Sequence, residues 1–399
     1  MELMLQFGWG MMDHCRFLVR HWGGATVILS PRDSSPQQLT ALALDISIAG
    51  GATLLDPQLY VPDCDHTRLT AHGFWPQVAE YWRDPRELSR VITELVRMND
   101  ELGTTQIISP APIASVISDD SLQPVVAALE ELGRQGVGPD RILATVALTS
   151  DAVRNEDRAE MLSDAIESWD VAGIYLVAEH PSGEYLVTDP MWLARILDIV
   201  AGARLVGKTV LIGYSSHQML LAATAGATAI ASGTWMNVRA FSARRFEQAD
   251  DDDVSRRATW YYAPHLLSEF KIAYLDIARR LGRLPSLQTP AGIDGSFASV
   301  LFSGTQPTTA DFGESASFRH YLHCLRQQVN AAKMATFQDT TQGHEALLSV
   351  AEAGLADLRR ANIVSPERGF QDALPANRAA LGLLIATRGP ILTMEWPGL

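Results

Sequence analysis

The sequence predicts a (β/α)8 barrel of the TIM type over residues 1–264, with a helical C-terminal region packed on it over residues 265–399. Three observations predict this fold. Eight short apolar runs rich in β-branched residues recur along the chain, and stretches with apolar residues three and four positions apart lie between them. The first strand-to-helix turn, "LSPRDSSPQQL", has no glycine, so the dinucleotide fingerprint of an open doubly wound sheet is missing.

The expected strands are TVILS (26–30), TLLD (53–56), QIIS (106–109), ILATVAL (142–148), GIYLVAE (173–179), TVLIG (209–213), TAIAS (228–232) and TWYYA (259–263), the number a closed barrel requires. Amphipathic helices are expected at 35–51, 85–103, 158–170 and 189–203, with Gly50, Gly103 and Gly202 as helix ends. Strand, helix and strand repeated in this way imply parallel strands with right-handed crossovers. Beyond residue 264 the period becomes helical at 265–282, 317–337, 343–362 and 376–389, and a Gly, Pro, Ser and Thr-rich connection separates the first two.

With 399 residues the chain can bury a large core, and 47% hydrophobic against 20% charged residues is the balance of a globular protein with no bilayer-length apolar segment. The N-terminal stretch lacks the pattern of a secretory leader, and Cys15, Cys64 and Cys324 have no paired spacing; both point to a cytoplasmic location without disulfides. No Cys and His cluster of zinc type and no phosphate-cradling GxxxxGK loop occurs, so no cofactor is expected. A net charge of −14 repels phosphate on average, so any nucleic-acid contact requires a local basic patch. The run ADDDD at 249–253 reads as a loop tip, with Arg256 and Arg257 as its neutralising neighbours or a basic pair.

Barrel enzymes of this kind hold their chemistry just past the C-terminal ends of the strands. The residues there include Arg32 and Asp33, then Asp56, Gln58 and Tyr60, then Glu179 with His180, then Tyr214 to His217, and last Ser232, Trp235, Asn237 and Arg239. Asp56 closes "ATLLD", where partial burial raises a carboxyl pKa and makes it a base or nucleophile; alternatively it caps the turn "DPQLY". Asp63, Asp65 and His66 offer oxygen and nitrogen donors for a divalent metal, or are solvated loop residues. Glu179 and His180 are a candidate acid–base pair of which one faces the centre, since neighbours on an extended chain point apart. His217 is either a helix N-terminal residue or, with the acidic cluster, part of a metal-dependent hydrolase site. Asn237 and Arg239 suit recognition of a planar base or a phosphate, or else anchor their loop; Trp235 stacks on a flat ligand or plugs the barrel end.

Two stretches, "KTVLIGYSSHQMLLAATAGATAIASGTWMNVRAF" (208–241) and "FRHYLHCLRQQVNAAKMATF" (318–337), resemble the tRNA-guanine transglycosylase family. The first is similar to its "MGVG...DL...V..GID.FDCV.PTR.AR" segment and the second to its "YL.HL...NE.L...L" helix. "ATLLDPQLY" occupies the place of the family's "ILTDSGGFQ", and "GIYLVAEH" that of its "GYAIGG" strand. The resemblance implies base exchange or modification on tRNA or DNA, of the 7-deazaguanine type, with Asp56 in the acid–base position. The partners it implies are a nucleobase or nucleic acid met through a local basic patch, without membrane association. Ser232 falls at the family's nucleophilic Asp, and the family's zinc cysteines have no counterpart. A neutral hydroxyl does not stabilise oxocarbenium-like charge as a carboxylate does. The same features therefore also fit a homologue without catalysis, one that binds a base or a partner protein, or self-associates, in a nucleic-acid modification or phage-defence complex. Glu179 is the substitute carboxylate if catalysis is retained.

Overall fold

The computed structural model describes residues 1–155, 158–247 and 258–399; the 249–253 run, Arg256 and Arg257 lie outside the described residues. The barrel is present. Its strands are β1 (Glu2–Gln6), β2 (Thr26–Leu29), β3 (Ala52–Leu55), β4 (Ile107–Ile108), β5 (Ile142–Leu148), β6 (Gly173–Ala178), β7 (Thr209–Ile212) and β8 (Ala229–Ser232). They form one parallel sheet in the order β3-β2-β1-β8-β7-β6-β5-β4. The ring is nearly closed: the Thr105 N–H, just before β4, donates to the Thr53 carbonyl of β3 at 3.3 Å.

One strand differs from the sequence reading. TWYYA is extended, but as β9 (Trp260–Ala263) it pairs antiparallel with β10 (Ser268–Lys271) in a hairpin outside the barrel. The eighth barrel position belongs instead to the N-terminal β1, which pairs in parallel with both β8 and β2 and so joins the two ends of the ring. The segment 265–271 is therefore a turn and a strand where a helix was expected, because Pro264 and the left-handed Leu267 (φ 48°) reverse the chain.

The helices are α1 (Met12–Trp22), α2 (Pro36–Ile48), α3 (Pro85–Leu102), α4 (Asp119–Arg134), α5 (Ser150–Arg154), α6 (Ala159–Ser168), α7 (Pro190–Leu205), α8 (Arg244–Glu247), α9 (Ile272–Arg280), α10 (Glu314–Ala332), α11 (Phe337–Arg360) and α12 (Leu374–Glu395). Local chemistry explains their limits. Ser35 and Gln38 form a reciprocal capping box at α2, Asp84 and Asp189 accept N-terminal N–H groups of α3 and α7, and Gly103 ends α3 in the left-handed conformation. Gly202 lies inside α7, which runs on to Leu205 before Gly207 turns the chain (φ 80°).

Every residue of β5 and β6 is buried, as parallel strands covered by helices require. The C-terminal helices pack onto this body: α12 lies along α7, with Arg388 paired to Asp198 at 2.8 Å, and α10 touches β1 and α1. No helix among the described residues is long and apolar enough to cross a membrane.

Candidate functional site

Asp56 directly follows β3 on the C-terminal rim and is 1% exposed. The chain turns back at Gln58, whose backbone is left-handed (φ 56°), so that its N–H donates to Asp56 Oδ1 at 3.0 Å. Asp56 thus caps its own turn. It also does more, because three tyrosine hydroxyls, one from the same turn and two from remote parts of the chain, converge on the same carboxylate. Tyr60 lies 2.8 Å from Oδ2 and 2.9 Å from Oδ1, Tyr214 donates to Oδ2 at 2.9 Å, and Tyr175 lies 3.1 Å from Oδ2. Tyr175 stands in the middle of β6, and its single proton is shared between Asp56 and Gln6 Oε1, which is 3.2 Å away at the end of β1.

The electrostatics of this nest are opposed. Burial pushes the Asp56 carboxyl up, the hydrogen bonds from Tyr60, Tyr214, Gln58 and Tyr175 pull it down, and burial wins, leaving it at about 6. The same burial, with the Asp56 charge next to it, drives the three phenols well above their ordinary range, so they remain protonated donors. Asp56 is therefore a group that both takes up and releases a proton near neutral pH.

Further hydrogen bonds tie the nest to the rim. Gln58 Nε2 donates to Tyr214 Oη at 3.0 Å and to Ser30 Oγ at 2.9 Å, while its Oε1 accepts the Arg32 N–H at 2.9 Å. The Ser30 hydroxyl donates to Asp33 at 2.8 Å, and Asp33 pairs with Arg32 at 3.1 Å. Beside Asp33 opens a cavity of about 600 Å³ lined by Phe7, Trp9, Gln38 and Arg68 among others. Over the nest, Phe241 and Phe246 from the segment after β8 pack on Tyr60 with ring centres 4.9 and 5.0 Å away, closing it from solvent.

Arg239 belongs to a different cluster. Its guanidinium donates to Gly233 O at 2.8 Å, pairs with Glu269 of β10 at 3.2 Å and lies 3.4 Å above the Tyr321 ring of α10. Glu269 also pairs with Arg368 at 3.0 Å and accepts from Tyr185 at 2.7 Å. Burial alone would raise the Glu269 carboxyl, but Arg239 and then Arg368 overcome it and hold it at about 2. Among the described residues, Asp56 and Arg239 share no hydrogen-bond partner.

The remaining rim residues have separate placements. Glu179 accepts the Ala243 N–H at 2.8 Å and so fixes the segment that carries Phe241 and Phe246. His180 bonds through Nδ1 to the Glu184 carbonyl at 2.8 Å. Ser232 closes β8 in register with Leu5, its side chain fully buried. Trp235 packs edge-on against Phe318, and the Asn237 carbonyl accepts from Arg245. His217 is enclosed by Tyr185, Tyr262, Tyr321 and Phe370, and burial lowers it to about 4. Asp63 and Asp65 are exposed while His66 is buried, and among the described residues no three His, Cys, Asp or Glu side chains gather to hold a metal ion.

Strand-end reasoning passes over Tyr175 and Gln6, which the nest requires. The signal for Tyr175 is a phenol in the middle of the otherwise aliphatic "GIYLVA"; Gln6 is invisible without β1. The fold and this nest define a barrel protein with a titratable acid buried at its C-terminal mouth. No protein-family model matches the chain, and no curated protein matches it.

Proposed function

We propose that this chain is a transglycosylase-like barrel that binds a nucleobase carried in nucleic acid and exchanges a proton with it through Asp56. The observation that supports this reading best is the convergence of three tyrosine hydroxyls and one N–H on a carboxyl group poised at about 6. A flat base offers N–H donors that replace tyrosine hydroxyls on such a carboxylate, and surrounding rings offer it a stacking surface. A pKa near the working pH is what general acid–base transfer needs, and it contributes a factor of about 10²–10⁴. To reach Asp56 a base must displace Phe241 and Phe246, which pack over Tyr60. A cytoplasmic location belongs to the same reading.

The covalent half of base exchange is less well supplied, since Ser232 has no carboxylate to offer a ribosyl cation. This favours a second reading, a barrel that binds the base or a partner protein without turnover. The two separate cleanly. Purified protein is incubated with a labelled nucleobase and nucleic acid; exchange that falls about 10²-fold or more in Asp56→Asn, with the melting curve intact, supports the first. Exchange undiminished in Asp56→Asn removes it, and binding of the base with no exchange assigns the second.

A further inference from the structure

On the outer wall of the barrel a groove of about 730 Å³ runs between α4 and α6. Elsewhere in the ring neighbouring helices meet, α3 on α4 and α6 on α7, but α4 and α6 stand apart. From α4 come Asp119, Leu122 and Val126, whose three- and four-residue spacing puts them on one face over two turns. Opposite them α6 presents Glu160, Met161 and Asp164. The floor is apolar, and Val126 is 38% exposed on it. The rim is acidic on both walls, since Asp119, Glu160 and Asp164 are all exposed. Among the described residues no Lys, Arg or His lines the groove, and none of these three carboxylates has an ion-pair partner. Asp119 and Glu160 lie in the first turns of their helices, where negative charge suits the dipole; Asp164, a turn further on, has no such role.

We infer that this groove docks a basic amphipathic helix of a partner protein, its apolar residues on Leu122, Val126 and Met161 and its Lys or Arg side chains on Asp119, Glu160 and Asp164. Charge decides the occupant. A helix whose cations flank an apolar stripe meets a carboxylate on either wall while covering the floor, which an uncharged helix does not do. A second copy of this chain, at a net charge of −14, approaches the groove with like charge. A small polycation satisfies the rim and leaves the floor in water. The α4 positions from Asp119 to Val126 span about 10 Å, so the groove seats about two turns of a helix. The inference stands apart from the reading of Asp56, with which the groove shares no residue.

Three labelled peptides titrated with the full chain and followed by fluorescence anisotropy test it: a short peptide of leucine and lysine at helical spacing, its counterpart with glutamate for lysine, and its counterpart with serine for leucine. The leucine–lysine peptide is expected to bind at least about tenfold more tightly than either counterpart, and to weaken between about 0.05 and 0.3 M salt. Joint replacement of Asp119→Asn, Glu160→Gln and Asp164→Asn should weaken it about tenfold, and Val126→Ser about threefold. Asp311→Asn, Asp372→Asn and Glu395→Gln remove the same charge from other exposed places and should leave affinity within about twofold. All these positions are on the surface, so the melting curves should coincide with that of the unsubstituted protein. No binding of the leucine–lysine peptide, equal binding of either counterpart, or equal weakening by the two triple variants overturns the inference. A dimer in sedimentation that Val126→Arg dissolves assigns the groove to a second copy and overturns it as well.

Discussion

A single carboxyl decides the character of the barrel mouth. In the unfolded chain Asp56 loses its proton near 4, whereas in the folded chain it holds it to about 6. Between these values the native state binds more protons, so rising pH removes stability, and above pH 6 the whole penalty of about 3 kcal/mol is present. Asp56→Asn has no such ionisation. Its stability relative to the unsubstituted protein should therefore improve as pH rises from 4 to 7, by an amount of that order, read as the difference in urea midpoints at the two pH values. A constant difference would mean that Asp56 titrates normally. Glu269 acts in the opposite direction: held at about 2, it contributes stability above its unfolded pKa that is lost as pH falls toward 2.

At the scale of elements, the nest exists because strand ends are built from small residues and tight turns. A β-carbon on Gly213, which follows β7, would lie 2.5 Å from the Tyr175 hydroxyl and 2.7 Å from its ring. Gly213→Ala should push Tyr175 away from Asp56, cost about 1–3 kcal/mol and shift the pH dependence just described. Thermal melting with the same urea comparison measures both, and an unchanged protein would show that Tyr175 has freedom to move. Seven of the eight barrel strands were legible in the sequence because buried parallel strands are unbroken apolar runs. β1 was not, since "ELMLQ" has only three consecutive apolar residues and no β-branched one. TWYYA is a true strand whose partner, "SEFK", was masked by the helical spacing that follows it. Asp56, Gln58 and Tyr60 were legible as a site because they share one turn. Their convergence with Tyr175 and Tyr214 depends on strand order, which no local pattern carries.

Over the whole molecule, Glu269 joins the hairpin to the barrel through Arg239 and to the segment before α12 through Arg368. Removing it in Glu269→Ala strands two cations against one another in a buried place, and should cost about 3–5 kcal/mol, measured by denaturant unfolding. A loss well under 1 kcal/mol would mean that water enters the cluster freely. Arg239 was read from sequence as a recognition residue or a loop anchor; its partner Glu269 lay within a stretch expected to be helical, so the ion pair had no signature. On the function proposed above, Asp56 trades hydrogen bonds and a proton with a bound base. Its most direct test is labelled-base exchange measured from pH 5 to 8. A rate governed by a group titrating near 6, and lost in Asp56→Asn, is expected. A flat profile across that range, carried equally by the variant, would contradict it.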